Sequence, residues 1–230
     1  MWISLHIYNY SYINFIKKVE ELIPIFEDEN CLFFYTVYSD INGPHFRLRI
    51  KISKSNKRVF NSVFSKFDKK NIKEKIYDRE IIKYRDNIDL YEEISSSFCK
   101  YIIKNIALIE NQKTIFCLST IVFFTKFFKI DETEYYFKAM NFWANSFKYF
   151  NRSIEPTIDI YNSIQIVYEN HFEYFNQLEE LLRKLTITSD DMKKELAFHF
   201  SHMIINRLNL SPKDEVLLYA MLINEKEPLK

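Results

Sequence analysis

The sequence predicts an α+β fold, with a mainly antiparallel N-terminal sheet carrying packed helices and a predominantly helical C-terminal half. Two observations predict it. Short segments of alternating or β-branched residues lie before about residue 89, and long helical patterns lie after it. Strands first and helices later is typical of α+β proteins. No low-complexity linker and no internal repeat divides the chain, so we expect residues 1–230 to form a single domain.

Three strands are predicted near the N-terminus. Residues 2–8 (WISLHIY) alternate and are rich in aromatic and β-branched residues, and residues 31–38 (CLFFYTVY) have a similar character. The only glycine of the chain lies in an Asn-Gly-Pro sequence at 42–44, which predicts a turn into a third strand, HFRLRIKI (45–52). A further extended segment is predicted over residues 72–84.

Helices are predicted from apolar residues spaced by three and four positions. The first covers residues 11–26, with Ser11 as its cap, and a short one covers residues 55–67. Four or five long helices follow residue 89, and the breaks between them are predicted near 129–131, 151–156, 186–190 and 210–212. The last helix is predicted to begin at Ser211, because a serine cap, a proline and acidic residues follow one another there.

The composition excludes several classes of function. The chain is 47% apolar and 27% charged, with a net charge of +1, so it lacks the basic stripe of a nucleic-acid-binding protein. Its longest apolar run, residues 115–124, is too short to cross a membrane, and the N-terminus does not resemble a signal peptide. The three cysteines have no metal-binding or redox spacing, which favours reduced thiols and a cytoplasmic location. A single glycine excludes glycine-rich phosphate loops.

The third predicted strand carries a row of polar side chains. His45, Arg47 and Arg49 alternate with apolar residues, so all three point to the same face of an extended strand. Two neighbouring guanidiniums make a clamp for a carboxylate or phosphate, because each offers a planar fork of donors. The alternative is a polar sheet face that is simply solvated.

Two later segments also concentrate polar groups. Residues 77–84 (YDREIIKY) are rich in charge, whether they continue as a strand or turn. In residues 199–208 (HFSHMIINRL), His199, His202 and Asn206 lie on one stripe of a predicted helix. No HExxH motif or cysteine partner accompanies these histidines, so no metal site is predicted.

Taken in order, these segments resemble the C-terminal domain of class I lantibiotic dehydratases, also known as the thiopeptide-type bacteriocin biosynthesis domain. The resemblance covers nearly the whole chain. It rests on WISLHIY, FFYTVY, GPHFRLR, YDRE with the following KY, YEEISSSF and SHMIINRL. GPHFRLR and SHMIINRL are its specific parts.

The resemblance implies a function in peptide modification. In full-length members, a large N-terminal domain uses glutamyl-tRNA to glutamylate Ser and Thr of a precursor peptide. The C-terminal domain then eliminates glutamate and leaves dehydroalanine or dehydrobutyrine. This chain accordingly resembles the elimination half of a split dehydratase, needing no cofactor, whose partners are the precursor peptide and a separate glutamyl-tRNA-dependent subunit.

The same resemblance places Arg47, Arg49 and His202 on positions used for elimination. Arginines suit the glutamyl carboxylates and the negative charge that develops during the reaction. An imidazole titrates near neutrality, so His202 is expected to exchange the proton as base or acid. His45, on the strand face of the arginines, is a second candidate.

The second motif departs from the family pattern, which usually ends in Arg-Tyr-Gly-Gly. Lys83 stands for the arginine, and Arg85 and Asp86 stand for the two glycines. The bidentate guanidinium of the motif is thereby replaced by the point charge of a lysine, and Arg79 or Arg85 can take the place of the missing guanidinium. The missing glycines imply a different backbone path. The expected substrate-binding residues are His45, Arg79, Lys83, Arg85, Asn206 and Arg207.

Two other functions stay open at this point. Stand-alone relatives include pyridine synthases of thiopeptide assembly, which perform a formal [4+2] cycloaddition on two dehydroalanines and expel the leader peptide. A non-catalytic module is the other alternative, in which an edge strand of the sheet binds a leader peptide by strand addition. The sequence also leaves a homodimer open.

Overall fold

The structure, a computed structural model, describes residues 1–52, 57–148 and 159–226. The chain divides into two compact units. The first, here called the N-terminal unit, contains Met1–Ile106 and Lys184–Thr186, and the second, the helical unit, contains Ala107–Arg183 and Ile187–Lys230. The expectation of a single domain stays a prediction.

The N-terminal unit is built on a four-stranded antiparallel sheet. Its strands are β1 (Trp2–Tyr8), β2 (Leu32–Asp40), β3 (Gly43–Lys51) and β4 (Ile72–Lys75), in the order β2-β3-β1-β4. Its helices are α1 (Tyr12–Glu20), α2 (Ile23–Asp28), α3 (Lys57–Lys66), α4 (Ile81–Tyr84) and α5 (Ile88–Lys104). Up to β4, the order of elements and strands is that of a ferredoxin-like sheet. The α+β prediction is confirmed.

One face of this sheet forms the core of the unit. Leu48 and Ile50 of β3 are fully buried there, together with Phe15 and Val19 of α1. The outer edge of β2 is covered by α5: the backbone N–H of Phe33 donates to Ser96 Oγ (3.2 Å), and that of Tyr35 donates to Cys99 Sγ (3.3 Å). Side chains of α5 therefore satisfy an edge that would otherwise expose unpaired donors.

The predicted helix over residues 11–26 is in fact two helices. Ser11 caps α1 as expected, because its Oγ accepts a hydrogen bond from the Asn14 N–H (3.4 Å), but α1 ends at Glu20. Pro24 lies in the first turn of α2. It has no N–H to donate to the carbonyl of Glu20, so one continuous helix would lose a hydrogen bond and meet a clash at this point.

The predicted extended segment over residues 72–84 is wrong beyond Lys75. The strand ends there, and residues 81–84 form the single helical turn α4. The turn is held by the Glu80 carbonyl, which accepts from the N–H groups of Lys83 (3.1 Å) and Tyr84 (3.0 Å). Tyr84 is fully buried and its ring stacks on Tyr91 at 3.7 Å. Burying this ring decides against an extended strand.

The helical unit is an assembly of seven helices in the part of the chain that the structure describes. They are α6 (Ile106–Asn111), α7 (Lys113–Phe128), α8 (Glu132–Phe147), α9 (Ile160–Asn170), α10 (Phe172–Leu182), α11 (Asp190–Arg207) and α12 (Pro212–Lys226). The start of α12 is confirmed: Ser211 Oγ accepts from the Asp214 N–H (3.4 Å), and Asp214 Oδ2 accepts from the Ser211 N–H (2.7 Å). This reciprocal pair is a capping box.

The predicted breaks near 129–131, 186–190 and 210–212 are confirmed, and the break near 151–156 lies outside the described residues. Additional breaks, at Gln112 and His171 among others, raise the helix number above the predicted four or five. These two residues meet: the Gln112 side-chain amide donates to His171 Nε2 (2.8 Å), and His171 is buried. Among the described helices, none has the length and apolar character needed to cross a membrane.

Candidate functional site

The second face of the sheet carries the polar side chains. In the register of β1 and β3, Arg47 lies opposite His6, and Arg49 lies opposite Ser4. Because alternate residues of paired strands share a face, these four side chains point the same way. The register therefore adds His6 and Ser4 to the arginine row expected from β3 alone.

Aromatic rings hold both guanidiniums. The Cζ atom of Arg47 lies 3.3 Å from the centroid of the Tyr38 ring, and that of Arg49 lies 4.5 Å from Tyr77 and 5.4 Å from Phe34. Within the described residues neither arginine forms a salt bridge, and both Nε atoms are buried without a hydrogen-bond partner. Burial lowers the pKa of Arg49 from its ordinary value. The stacking fixes the orientation of the donors and leaves them available for an anion.

The two arginines open into one cavity of about 430 Å³, here called the arginine cavity. Its lining residues are Ser4, His6, Arg47, Arg49, Lys75, Ile76 and Asp78. Three cations face one carboxylate there, so the cavity favours a negatively charged ligand.

His6 is the titratable group that the sequence interpretation missed. Its Nδ1 atom is buried without a hydrogen-bond partner among the described residues. Burial, followed by the charges of His45, Arg47 and Arg49, lowers the pKa of His6 to about 4. The imidazole is therefore neutral at physiological pH. The alternation of WISLHIY predicts that the His6 side chain points to one of the two faces of the strand. Only the pairing of β1 with β3 shows that this is the face that carries Arg47 and Arg49.

His45 lies beside this cavity but does not line it. The residue is buried, its ring stacks on His6 (4.7 Å), and its Nδ1 donates to the Gly43 carbonyl (3.1 Å). Burial lowers its pKa as well. The expected role of His45 in contacting substrate is not supported by this position.

His6, Asp40 and His45 offer possible metal ligands, because their donor atoms lie within 4.8 Å of one another. The imidazole planes are only 21° apart and stacked, so their in-plane lone pairs run nearly parallel and do not meet at one ion. The positive charge of Arg47 also lowers the pKa of both histidines, and it would repel a bound metal cation. The cluster is a poor cation site.

In the second motif (residues 77–84), the cationic side chains pair with carboxylates of the protein. Arg79 donates to both carboxylate oxygens of the buried Glu92 (2.7 and 2.8 Å) and to Asp89 (2.5 Å). These hydrogen bonds raise the pKa of Arg79. Lys83 pairs with Glu80 at 3.4 Å. Neither cation lines the arginine cavity. From this segment, Asp78 lines the cavity and the Tyr77 ring stacks on Arg49.

Arg85, which stands in place of a glycine in the second motif, has a backbone conformation typical of glycine. Its φ is 49° and its ψ is −128°, a conformation that L-residues rarely adopt. The positive φ at Arg85 comes with strain, because arginine carries a Cβ atom. The different backbone path expected from the loss of both glycines stays a prediction. The Arg85 side chain is exposed.

In the helical unit, His202 forms a pair with Glu215. His202 Nδ1 lies 2.5 Å from Glu215 Oε1, and its ring lies 4.8 Å from that of Trp143. The Glu215 side chain is fully buried, whereas 22% of the His202 side chain is exposed. Burial raises the pKa of Glu215, and His202 opposes this shift. The carboxylate thus fixes the orientation of an accessible imidazole, a feature seen in many histidine acid–base sites.

The neighbours of His202 in the sequence motif differ in accessibility. Arg207 is fully buried, which does not support its expected contact with substrate. Asn206 is half-buried. Glu215 was predicted only as an acidic residue in the first turn of the last helix, and nothing local in the sequence pairs it with His202.

The sequence matches the family described as "Lantibiotic biosynthesis dehydratase C-term" over residues 2–225. The chain belongs to this family, which is associated with dehydration chemistry in the biosynthesis of ribosomal peptide products. The match extends over both units.

Two solved structures resemble this fold. One is the tRNA-dependent lantibiotic dehydratase MibB from Microbispora sp. 107891, with a TM-score of 0.63 and 12% identity, covering 97% of this chain and 28% of the MibB chain. The other is the pyridine synthase TbtD from thiomuracin biosynthesis, with a TM-score of 0.59 and 10% identity, covering 97% of this chain and 97% of that one. At such identities the likeness concerns the fold. No curated protein sequence matches this chain.

Proposed function

We propose that this protein eliminates glutamate from glutamylated Ser and Thr residues of a precursor peptide, leaving dehydroalanine and dehydrobutyrine. One observation carries the proposal. In a member of the dehydratase family, Arg47 and Arg49 face a cavity without forming a salt bridge to any described residue. Oriented, unpaired guanidiniums match the carboxylate that this reaction releases.

The chemistry of elimination asks for these groups. A base removes the Cα proton, and the electron pair of that C–H bond forms the Cα=Cβ double bond. The Cβ–O bond breaks, and its electron pair leaves with the carboxylate of glutamate. Arg47 and Arg49 stabilise the charge that develops on the leaving group.

We assign the proton transfer to His202. Glu215 accepts at Nδ1 of this imidazole, which leaves Nε2 to exchange the proton with the substrate. Glu215 is accordingly a positioning residue. The proposal requires that His202 and the two arginines act on the same substrate molecule.

The glutamylated substrate is proposed to come from a separate, tRNA-dependent subunit. This chain spans only 28% of the MibB chain, whose description includes tRNA dependence. A partner that uses aminoacyl-tRNA also makes the cytoplasm the proposed place of the reaction.

The test is an elimination assay with the purified protein and a peptide that carries a glutamyl ester on serine. Mass spectrometry should detect release of glutamate and formation of dehydroalanine. We expect Arg49→Gln and His202→Gln to lower kcat by about 10²-fold or more. Glu215→Gln should lower kcat with little change in KM, because it leaves the cavity intact.

Two matched variants serve as controls. Arg58→Gln removes an exposed arginine that pairs with Asp28 and Glu29, and His199→Gln removes the histidine one turn before His202. Both should keep wild-type rates. Glutamate release that survives Arg49→Gln and His202→Gln would refute the assignment.

A second candidate function is pyridine formation from two dehydroalanines. The observation in its favour is that the fold of TbtD matches over nearly the full length of both chains. A dehydrated peptide separates the two: a pyridine synthase consumes two dehydroalanines and ejects a leader peptide, whereas the proposed lyase leaves that peptide unchanged.

A further inference from the structure

We propose that His6 takes up a proton when a carboxylate binds in the arginine cavity, so that the site binds its anion and a proton together. The inference rests on the proposed carboxylate site but not on the elimination reaction. It gives the cavity a proton acceptor of its own, in addition to the His202 pair of the helical unit.

The geometry places His6 among the anion-binding groups. It lies opposite Arg47 in the pairing of β1 with β3, and it lines the arginine cavity together with Arg47 and Arg49. Its buried Nδ1 atom lacks a hydrogen-bond partner in the described part of the chain. A buried imidazole nitrogen without a partner is an unused proton-binding or hydrogen-bonding group.

Charged and titratable groups face His6 from every strand of the sheet. From β1 comes Tyr8; from β2, Asp40; from β3, His45, Arg47 and Arg49; from β4, Lys73, the register partner of His6, and Lys75; and Asp78 comes from the segment after β4. The sum is positive. Burial, together with these charges, lowers the pKa of His6 to about 4 and so keeps the imidazole neutral near physiological pH.

An anion bound to the arginines reduces this positive charge. Its negative charge offsets Arg47 and Arg49, so the charged form of His6 becomes easier to reach. Linkage is reciprocal: if the anion favours the protonated imidazole, the protonated imidazole binds the anion more tightly by the same factor. In the proposed reaction, His6 would gain basicity only when the glutamyl carboxylate is in place, which is when a proton must be accepted.

The test is an NMR pH titration of the full chain labelled with ¹³C at histidine Cε1, with and without sulfate. Sulfate is the probe because its charge is constant over the titration range. We expect the midpoint of His6 to rise by about one pH unit or more, which corresponds to at least about tenfold tighter sulfate binding by the protonated site. His6→Gln assigns the His6 resonance. In His45→Gln, which removes the stacked imidazole, we expect sulfate still to raise the midpoint of His6.

The controls separate a specific effect from ionic strength. The titration midpoint of His171, whose ring accepts a hydrogen bond from Gln112, should not change on adding sulfate. Arg49→Gln should remove most of the sulfate-induced shift of His6, and circular dichroism should show that this variant is folded. A His6 midpoint that sulfate leaves unchanged overturns the inference, as does one that moves equally in Arg49→Gln. A shifted His6 in a protein that releases no glutamate would instead refute the proposed reaction alone.

Discussion

Arg47 and Arg49 show how single residues prepare an anion site without occupying it. Arg79, which is half-buried, pairs with the carboxylate of the buried Glu92. Arg47 stacks on Tyr38 and Arg49 on Tyr77, so the ring faces restrict the guanidinium planes without occupying the N–H groups, and no described residue forms a salt bridge with either arginine. A carboxylate partner from the protein would compete with a substrate; an aromatic partner does not.

Arg85 carries the clearest backbone strain at the scale of one residue. With φ at 49° and ψ at −128°, a Cβ atom is disfavoured, whereas glycine is not. We therefore expect Arg85→Gly to be more stable than Arg85→Ala by about 1 kcal/mol, although glycine is ordinarily the less stable of the two. Urea unfolding followed by circular dichroism measures the difference, and an alanine variant at least as stable as the glycine variant would contradict it.

At the scale of elements, the packing of α5 on β2 assigns different roles to three consecutive serines. Ser96 Oγ accepts the Phe33 N–H, Ser95 Oγ is buried without a hydrogen-bond partner among the described residues, and Ser97 is half-buried. Only one of these hydroxyls satisfies the strand edge. The segment SSS in the sequence does not distinguish them, because the choice depends on which residue faces β2.

Alanine substitutions test this assignment. Ser96→Ala should lower the free energy of unfolding by about 1–2 kcal/mol, since it leaves a buried backbone donor unpaired. Ser95→Ala should be neutral or stabilising, and Ser97→Ala should be near neutral. Urea unfolding of the three variants is the measurement. Equal effects at all three positions would show that the Ser96 contact does not stabilise the strand edge.

At the scale of the whole molecule, buried histidines couple stability to pH. Burial and neighbouring charges lower the pKa of His6 from 6.5 to about 4, and burial lowers those of His45 and His171. Between these values the unfolded chain binds more protons than the folded chain, so the free energy of unfolding falls as pH falls from about 6.5 towards about 4. Glu215 acts in the opposite direction, because burial raises its pKa.

A comparison of two proteins isolates the contribution of His6 from that of Glu215. We expect the wild type to lose more stability than His6→Gln when pH is lowered from about 7 to about 5, because only the wild type must exclude a proton from this site. Urea unfolding at both pH values measures the two losses. Equal losses would contradict the shifted pKa of His6.

Features that depend on neighbours along the chain were predictable from the amino-acid sequence. Alternation in β3 placed Arg47 and Arg49 on one face, helical spacing predicted most of the helices, and the Ser-Pro-Lys-Asp segment at 211–214 predicted the start of α12. These features follow from local geometry, so they can be read without knowing the fold.

Contacts between residues that are distant in the sequence became known from the folded structure. The pairing of β1 with β3 brings His6 to Arg47, and the packing of α12 brings Glu215 to His202. Tertiary packing also makes residues 81–84 helical, because the Tyr84 ring packs on Tyr91. Strand register and side-chain packing are set by the burial of surfaces far apart in the chain, and no local pattern contains that information.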